Sequence, residues 1–330
     1  MRRLLYFAYF INNANFRDIL SKINLVNQKE DMSKLKIMLD MIYSSFKFKS
    51  SFEDYFEFEF YNKSIEERNT YLTTGKAYEF HNLMNKKEKR YIFKEKNIFM
   101  KKFDKFIKRD YLFLKDNFDD FNSWVSDKNQ FIAKPNEGAV GRGIEIVDIN
   151  KFENNREIFK FLKKNSLDLI EELIEQKDEL NMINPSSVNT LRIVTVTKDN
   201  NTDIVGALLR MSKGNFVDNL ARGGVAAPID IDYGKIMGAA VSKDPFDKEY
   251  IEHPLTNTKI LGFNIPYWQE TKEMILEASQ IEKDIRTVGW DVAITENGPE
   301  LIEGNDNWDK TLWQIPYQKG KINELNKYID

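Results

Sequence analysis

Residues 131–144 read Phe-Ile-Ala-Lys-Pro-Asn-Glu-Gly-Ala-Val-Gly-Arg-Gly-Ile, and this stretch decides the fold. An apolar run ends at Lys134, three glycines follow within six residues, and the next residues alternate in polarity. The pattern predicts a strand, a glycine loop and a second strand. Gly138, Gly141 and Gly143 allow positive φ and bring backbone N–H groups close to a ligand such as a polyphosphate. A tight hairpin with a surface lysine is the alternative.

The order of lysine and glycines differs from that of the familiar phosphate loops. A P-loop has Gly-Lys-Ser/Thr at the start of a helix, and the dinucleotide motif has Gly-x-Gly-x-x-Gly between a strand and a helix. Protein kinases carry their lysine on a strand after the glycine flap, whereas Lys134 precedes it. We expect Lys134 to have no structural partner and to be held for phosphate contact.

The composition bounds the class of protein. A chain of 330 residues, 42% hydrophobic and 31% charged, is globular and long enough for two or three lobes. It has no cysteine, which excludes disulfides and thiolate catalysis and fits a cytoplasmic protein, and it has two histidines. Acid, base and metal chemistry therefore falls to carboxylates, amides, lysines and arginines. The net charge of −3 provides no general attraction to nucleic acid, and none is expected as a partner.

Residues 1–90 are expected to form a mostly helical N-terminal region. Apolar residues recur at helical spacing from Phe16 to about Phe48, and an aromatic cluster follows at 52–61. Residues 1–11 place two arginines before an apolar run, which predicts the start of a helix. The alternatives for that helix are ordinary packing and a foothold on a membrane surface.

Residues 86–115 form a basic block, with twelve Lys or Arg and four acidic residues. A solvated helical face is one interpretation, and a surface that receives an anionic substrate or phosphate is the other. No recognisable nucleic-acid module surrounds the block.

Residues 167–174 read Leu-Asp-Leu-Ile-Glu-Glu-Leu-Ile and predict a strand, followed by a carboxylate-rich turn at 175–179. The edge of such a strand offers N–H and C=O groups to an adenine, and a carboxylate a few residues later can hold ribose hydroxyls. An ordinary edge strand is the alternative.

Two further strands each carry an arginine, Arg192 and Arg210. Because a guanidinium fork matches phosphate oxygens, the pair can form a phosphate clamp, with surface ion pairing as the alternative. A polar loop with Asn219, Arg222 and Gly223-Gly224 follows and is a candidate to face substrate. A helix is expected from about Tyr267 to Val288.

Residues 289–306 predict a hairpin that carries a metal site. Pro299 favours a three-residue loop over 297–299, since proline cannot donate to the ladder. That loop places Asp291 opposite Asn305, with Glu303 on the same face, whereas a two-residue loop turns Asp291 to the other face. Two carboxylates and an amide suit Mg²⁺, and a solvated polar face is the alternative. We expect Asp291→Asn or Glu303→Gln to abolish activity with little change in melting temperature.

Taken together, these segments resemble the ATP-grasp superfamily in type and order. The longer strings resemble its sugar-transfer-associated branch, and they are Ser187-Val-Asn-Thr-Leu-Arg192, Val217-Asp-Asn-Leu-Ala-Arg-Gly-Gly224, Gly289-Trp-Asp-Val-Ala-Ile294 and Gly298-Pro-Glu-Leu-Ile-Glu-Gly-Asn305. The resemblance covers about residues 94–313. It implies an α+β fold in which two α+β lobes clamp ATP, here preceded by the helical region. The expected domains are 1–90 and an ATP-grasp domain over 91–330, with lobes 91–175 and 176–330.

The resemblance also implies roles for single residues. The phosphates of ATP would contact Lys134, the flap glycines Gly138, Gly141 and Gly143, and Lys96 as a second lysine. The adenine would lie against Glu172, Leu173 and Ile174, and the ribose against Asp178 or Glu179. Two Mg²⁺ ions would bind Asp291, Glu303 and Asn305. Arg192 and Arg210 would steady the transferred phosphoryl group, with Asn219 as a further catalytic candidate facing the substrate.

The activity implied is an ADP-forming carboxylate-amine ligase that uses ATP and Mg²⁺ and works through an acyl phosphate. The branch's association with sugar transfer points to polysaccharide or sugar-conjugate biosynthesis, with small-molecule or sugar-linked substrates. Peripheral contact with a membrane or a sugar transferase is a further expectation. Two alternatives stay open, a kinase that phosphorylates an alcohol or sugar and a non-catalytic binding module that uses the basic block.

Overall fold

The N-terminal part of the chain folds into helices whose ends are set by polar caps. The computed structural model describes residues 2–114, 117–137, 143–214 and 223–329. Side-chain oxygens of Asn15, Ser33 and Ser51 accept hydrogen bonds from backbone N–H groups at the starts of α2, α3 and α4. The helices are α1 (Arg2–Asn12), α2 (Phe16–Lys29), α3 (Lys34–Phe48), α4 (Phe52–Glu57), α5 (Ile65–Asn69) and α6 (Thr74–Met84).

The aromatic cluster at 52–61 is the core of this helical region. Tyr55, Phe56 and Phe60 are fully buried and pack with Phe48 of α3. The partly buried Lys310 forms an ion pair with Asp54 at 2.6 Å, and so ties the helices to the C-terminal part of the chain.

A four-stranded antiparallel sheet follows α7 (Lys96–Phe103). Its strands are β1 (Tyr111–Phe113), β2 (Gln130–Lys134), β3 (Glu145–Asp148) and β4 (Leu169–Glu171), in the order β1-β4-β2-β3. Helices α8 (Phe118–Val125) and α9 (Asn155–Lys164) cover the sheet and bury Phe121 and Ile158 against Phe131. The strands predicted on both sides of the glycine loop are therefore present, and they pair from Gln130 opposite Asp148 onward.

A second antiparallel sheet has five strands. They are β5 (Thr190–Lys198), β6 (Asn201–Met211), β7 (Val225–Pro228), β8 (Thr287–Thr295) and β9 (Gly298–Asn305), in the order β7-β6-β5-β8-β9. Helix α11 (Trp268–Ser279) packs on one face through Ile275 and Ala278. Short helices α10 (Asp178–Ile183), α12 (Lys310–Gln314) and α13 (Ile322–Leu325) complete the chain. The two sheets with their helices confirm the expected α+β class.

Two elements end earlier than the sequence predicts. Helix α11 stops at Ser279, because the chain turns before the β-branched start of β8 at Thr287. Strand β4 stops at Glu171, because the next residues leave the first sheet and cross to the second. There Gln176 pairs with Thr295, and the N–H of Lys177 donates to the carbonyl of Ile294 at 2.8 Å.

The β8–β9 hairpin corrects the predicted loop. Thr295 pairs with Gly298, so the loop has two residues, 296–297, and Pro299 lies within β9 opposite Ile294. Proline is tolerated there because β9 is an edge strand. A β-bulge between Asp291 and Val292 then leaves Ile302 as an extra residue. The two-residue loop alone would place Asp291 and Glu303 on opposite faces of the hairpin. The extra residue of the bulge reverses the alternation of side chains once more, so Asp291 and Glu303 share one face.

Candidate nucleotide and metal site

A row of charged side chains crosses the five-stranded sheet. Arg192 on β5 pairs with Asp291 on β8, and Asp291 pairs with Glu303 on β9, rather than with Asn305 as predicted. Directly paired residues point to the same side of a sheet, and so do residues two apart on one strand. Asn305 therefore shares the face of Glu303. The register brings together the predicted residues Arg192, Asp291, Glu303 and Asn305.

Asp291 is the centre of this row. Arg192 donates from Nε to Oδ1 of Asp291 and from Nη2 to Oδ2 at 2.9 Å, and Nη1 of Arg210 lies 3.1 Å from each oxygen. Burial raises the pKa of this carboxyl, but the two guanidinium groups prevail and lower it to about 2. A carboxylate has about four lone-pair positions, so these four contacts occupy its acceptor capacity.

Glu303 differs from Asp291 because it is open to solvent. Desolvation by the surrounding protein atoms and the negative charge of the neighbouring Asp291 raise the pKa of Glu303. Nδ2 of Asn305 lies 3.3 Å from Oε1 of Glu303. These oxygens are the hard donors that suit Mg²⁺. In the described ranges, no three His, Cys, Asp or Glu residues form a group that could hold a metal ion.

A second charged cluster joins the two sheets. Nζ of Lys134 on β2 lies 2.5 Å from Oε2 of Glu171 on β4. Arg109 stands between Glu171, at 3.4 Å, and Glu300 of β9, at 3.3 Å. The expectation that Lys134 has no structural partner is therefore wrong. Sequence reasoning missed Glu171, Arg109 and Glu300; an acidic residue inside the apolar strand 167–174 was the available signal.

Lys96 links the second cluster to the charged row. Its backbone N–H donates to the carbonyl of Asn136 at 3.2 Å, at the foot of the glycine loop. Burial lowers the pKa of Lys96, and the positive charge of Lys134 lowers it further. The negative charges of Glu303 and Glu171 oppose this shift. Because Lys96 contacts Asn136, two residues after Lys134, and α7 packs against β9, the structure brings the two lysines selected from the sequence close to the hairpin.

The segment after β4 crosses between the sheets. The backbone groups of Leu173 and Ile174 form no hydrogen bond with any other residue that the structure describes. Glu172 is engaged, because it accepts from the N–H of Asp110 at 2.8 Å. Glu179 forms an ion pair with Lys177 at 3.3 Å, while Asp178 is exposed at the start of α10.

Three of the predicted residues, Gly138, Gly141 and Asn219, lie outside the described residues. The remaining flap glycine, Gly143, has φ of +74°, a conformation that side chains disfavour, so glycine is favoured at this position.

Much of the basic block contacts acidic residues of the C-terminal part of the chain. Lys86 forms an ion pair with Asp284 at 2.6 Å, and Lys102 forms one with Glu282. Lys105 pairs with Glu277 in the same way. These lysines lie along the seam between α7 and the region around α11, where their charges are partly neutralised.

Glu171→Gln is expected to reduce the free energy of unfolding at neutral pH by about 3 kcal/mol, because Arg109 and Lys134 lose a buried partner. Arg109 and Lys134 outweigh burial and lower the pKa of Glu171 from 4.5 to about 2. A lowered pKa in the folded state means that this stability is present above the unfolded value and is lost as the pH falls. As the pH falls from 4.5 to about 2, the free energy of unfolding of the variant should therefore decrease less than that of the wild type.

Urea unfolding at a series of pH values measures this effect. Glu172→Gln is the matched control, since Glu172 is partly exposed. Equal stability of Glu171→Gln and the wild type at neutral pH would mean that the cluster does not stabilise the fold.

Comparison with known proteins places this geometry in context. The family model described as "Sugar-transfer associated ATP-grasp" matches residues 75–329. Similar solved structures include the ATP-grasp ligase PsnB complexed with minimal precursor, with 11% identity over 68% of this chain and 55% of that chain and a TM-score of 0.41. D-Alanine-D-alanine ligase from Helicobacter pylori has 13% identity over 74% and 63% of the two chains and a TM-score of 0.44.

A third similar structure is N5-carboxyaminoimidazole synthetase from Staphylococcus aureus complexed with ADP, with 11% identity over 67% and 46% of the chains and a TM-score of 0.41. The chain thus spans less than two thirds of the length of each of these proteins. A search of curated proteins found no match.

Proposed function

This chain belongs to the sugar-transfer-associated ATP-grasp family, whose model matches residues 75–329, and from this premise we propose that it is an ADP-forming ligase. The ligase uses ATP and Mg²⁺ to join a carboxylate to an amine through an acyl phosphate. It acts in the cytoplasm, in the biosynthesis of a polysaccharide or another sugar conjugate.

One observation carries the proposal beyond the family: cations of the first sheet region lie beside carboxylates of the second. Lys134 contacts Glu171 at 2.5 Å, and Arg109 lies between Glu171, at 3.4 Å, and Glu300 of β9, at 3.3 Å. Phosphoryl transfer needs mainly positioning and charge neutralisation, and it requires no histidine or cysteine. A site that combines lysines, arginines and oxygen donors for Mg²⁺ is suited to this chemistry.

Different residues bind the different parts of ATP. Lys134, Lys96 and the glycines 138, 141 and 143 hold the phosphates. Glu172, Leu173 and Ile174 receive the adenine along the backbone edge of Leu173 and Ile174, and Asp178 or Glu179 receives the ribose. Asp291, Glu303 and Asn305 hold Mg²⁺, which neutralises phosphate charge when it is bound.

The contacts of Asp291 add a condition to this assignment. Its oxygens already accept four N–H contacts from Arg192 and Arg210. A role as metal ligand therefore requires that at least one of these contacts be released, and the N–H group released from Asp291 can then donate to a phosphate. Arg192 and Arg210 then steady the phosphoryl group, with Asn219 as a further candidate on the substrate side.

The reaction proceeds in two transfers. A carboxylate oxygen of the substrate attacks the γ-phosphorus, the bond to the bridging oxygen breaks, and ADP leaves. The amine nitrogen then attacks the acyl carbon, phosphate leaves, and the nitrogen loses a proton. If the attacking group is an alcohol, the first transfer alone gives a kinase, which is the second candidate because it uses the same site.

Hydroxylamine trapping distinguishes these outcomes. The enzyme is incubated with MgATP, hydroxylamine and a panel of amino acids and sugar acids, and hydroxamate and ADP are both measured. A ligase forms hydroxamate and ADP in equal amounts with its proper carboxylate. ADP formation with a phosphorylated alcohol and no hydroxamate identifies a kinase and overturns the ligase. Absence of Mg²⁺-dependent ATP binding in calorimetry at millimolar ATP favours the non-catalytic module.

A further inference from the structure

From Leu4 to Ile11, helix α1 is apolar on all sides, although only one side is buried. Residues 4–16 contain no charged side chain. The inner side packs on the helical region, where the rings of Phe7 and Phe46 lie 4.5 Å apart and Phe10 is buried. A helix in water normally carries polar residues on its outer side, so a helix without them needs a second apolar contact.

The outer side of α1 is apolar and exposed. The exposed fractions of Leu4, Leu5 and Tyr9 are 63%, 67% and 60%. Tyr78 of α6 is 62% exposed, and its ring lies 6.5 Å from that of Tyr6, so the apolar surface continues onto a second helix.

More exposed apolar side chains lie on α2 and α3, and α3 packs against both α1 and α2. In the part of the chain that the structure describes, 23 large apolar side chains are exposed, and eleven of them lie within residues 4–43. This concentration in a small part of the chain indicates an interaction surface rather than scattered surface residues. The eleven are Leu4, Leu5, Tyr9, Ile11, Phe16, Leu20, Leu25, Leu35, Met38, Leu39 and Tyr43.

The charge of the same segment indicates what covers it. Residues 1–43, which include all eleven, contain seven Lys or Arg and four Asp or Glu, a net charge of +3 in a chain whose net charge is −3. Exposed basic side chains flank the apolar ones, and they include Arg3, Arg17 and Lys36. A second copy of the chain would bring two such positive surfaces together, which like-charge repulsion opposes. The complementary partner is apolar and anionic.

We infer that α1, together with the exposed side chains of α2 and α3, docks the protein on a bilayer surface that contains anionic lipids. Leucine and aromatic side chains enter the interface, and the basic side chains contact lipid phosphates. Among the helices that the structure describes, none is long and apolar enough to cross a membrane. The eleven residues of α1 therefore lie along the surface. This inference does not rest on the proposed ligase activity.

Vesicle flotation tests the inference with the full chain. Vesicles of phosphatidylcholine with about a third phosphatidylglycerol should bind the protein about tenfold more strongly than vesicles of phosphatidylcholine alone. The double variant Leu5→Glu, Tyr9→Glu should lose binding to the anionic vesicles by about tenfold or more. The matched control is Tyr233→Glu, because Tyr233 is 82% exposed and lies outside the N-terminal helices. It should bind as the wild type does.

Circular dichroism and ATP binding check that the variants remain folded. Equal binding of the wild type to both kinds of vesicle, or unchanged binding of the double variant, overturns the inference. Light scattering after gel filtration tests whether a second copy of the chain covers this surface instead of a bilayer. A wild-type dimer that the double variant converts to a monomer would assign the surface to a second copy and would also overturn the lipid proposal.

Discussion

Glu303→Gln is expected to reduce Mg²⁺-dependent ATP turnover at least about 100-fold while leaving the melting temperature unchanged. The substitution removes the anionic oxygens that would hold the metal. Because the side chain is exposed to solvent and forms no ion pair with another described residue, the fold loses little. A coupled ADP assay at saturating ATP and thermal unfolding without ligand measure the two effects.

The contrast with Asp291→Asn makes this test specific. Asp291 accepts from Arg192 and Arg210, and all three side chains are buried. Asp291→Asn should therefore lose activity and also about 3 kcal/mol of stability, because two buried cations lose their counter-charge. These ion pairs revise the expectation from sequence that both substitutions leave the melting temperature unchanged.

Glu296→Gln is the control for the hairpin, since Glu296 lies in its two-residue loop and pairs with Lys177 at 2.8 Å. It should retain wild-type turnover. Full activity of Glu303→Gln would remove this residue from the metal site, and loss of activity in Glu296→Gln would show that the hairpin responds to any loss of charge.

Lys134→Met is expected to weaken MgATP binding by about ten- to a hundredfold, equivalent to about 1.4 to 2.8 kcal/mol. The lysine would contribute a point charge to the phosphates, and methionine preserves only the length of the side chain. A smaller loss of stability should accompany this effect, because Glu171 keeps its contact with Arg109. Isothermal titration calorimetry and urea unfolding measure the two quantities.

Lys151→Met is the matched control for this lobe, because the Lys151 side chain is 78% exposed. It should bind MgATP as the wild type does. If Lys134→Met loses stability but keeps its affinity for ATP, Lys134 acts only as the partner of Glu171, and the nucleotide assignment of the glycine hairpin loses its main support.

Local pattern was sufficient to predict individual helices and strands, both in the N-terminal region and beside the glycine loop. Helical spacing of Ile19, Ile23 and Val26 predicts α2, and these residues are buried as that spacing requires. The strands beside the glycine loop follow from their apolar and alternating residues. Such signals depend on neighbours along the chain, which a sequence displays directly.

The register of the metal hairpin shows where local pattern becomes insufficient. Pro299 favoured a longer loop, yet β9 is an edge strand that tolerates proline. The bulge beside Asp291 then compensates for the shorter loop. Because side chains alternate with period two, each one-residue change reverses the face, and the two changes cancel. The shared face of Asp291 and Glu303 thus depends on a bulge that the residue types do not reveal.

By itself the sequence determined which residue types are available for chemistry, the order of the strands and helices along the chain, and the resemblance to the ATP-grasp family. Only the tertiary structure decided which charges meet. Arg109 contacts Glu300, 191 residues further along the chain, and Arg192 contacts Asp291 across 99 residues. A charge acts on its neighbours in space, and chain folding brings distant residues together. The partners of Lys134 and Asp291 therefore could not be read from the residues beside them.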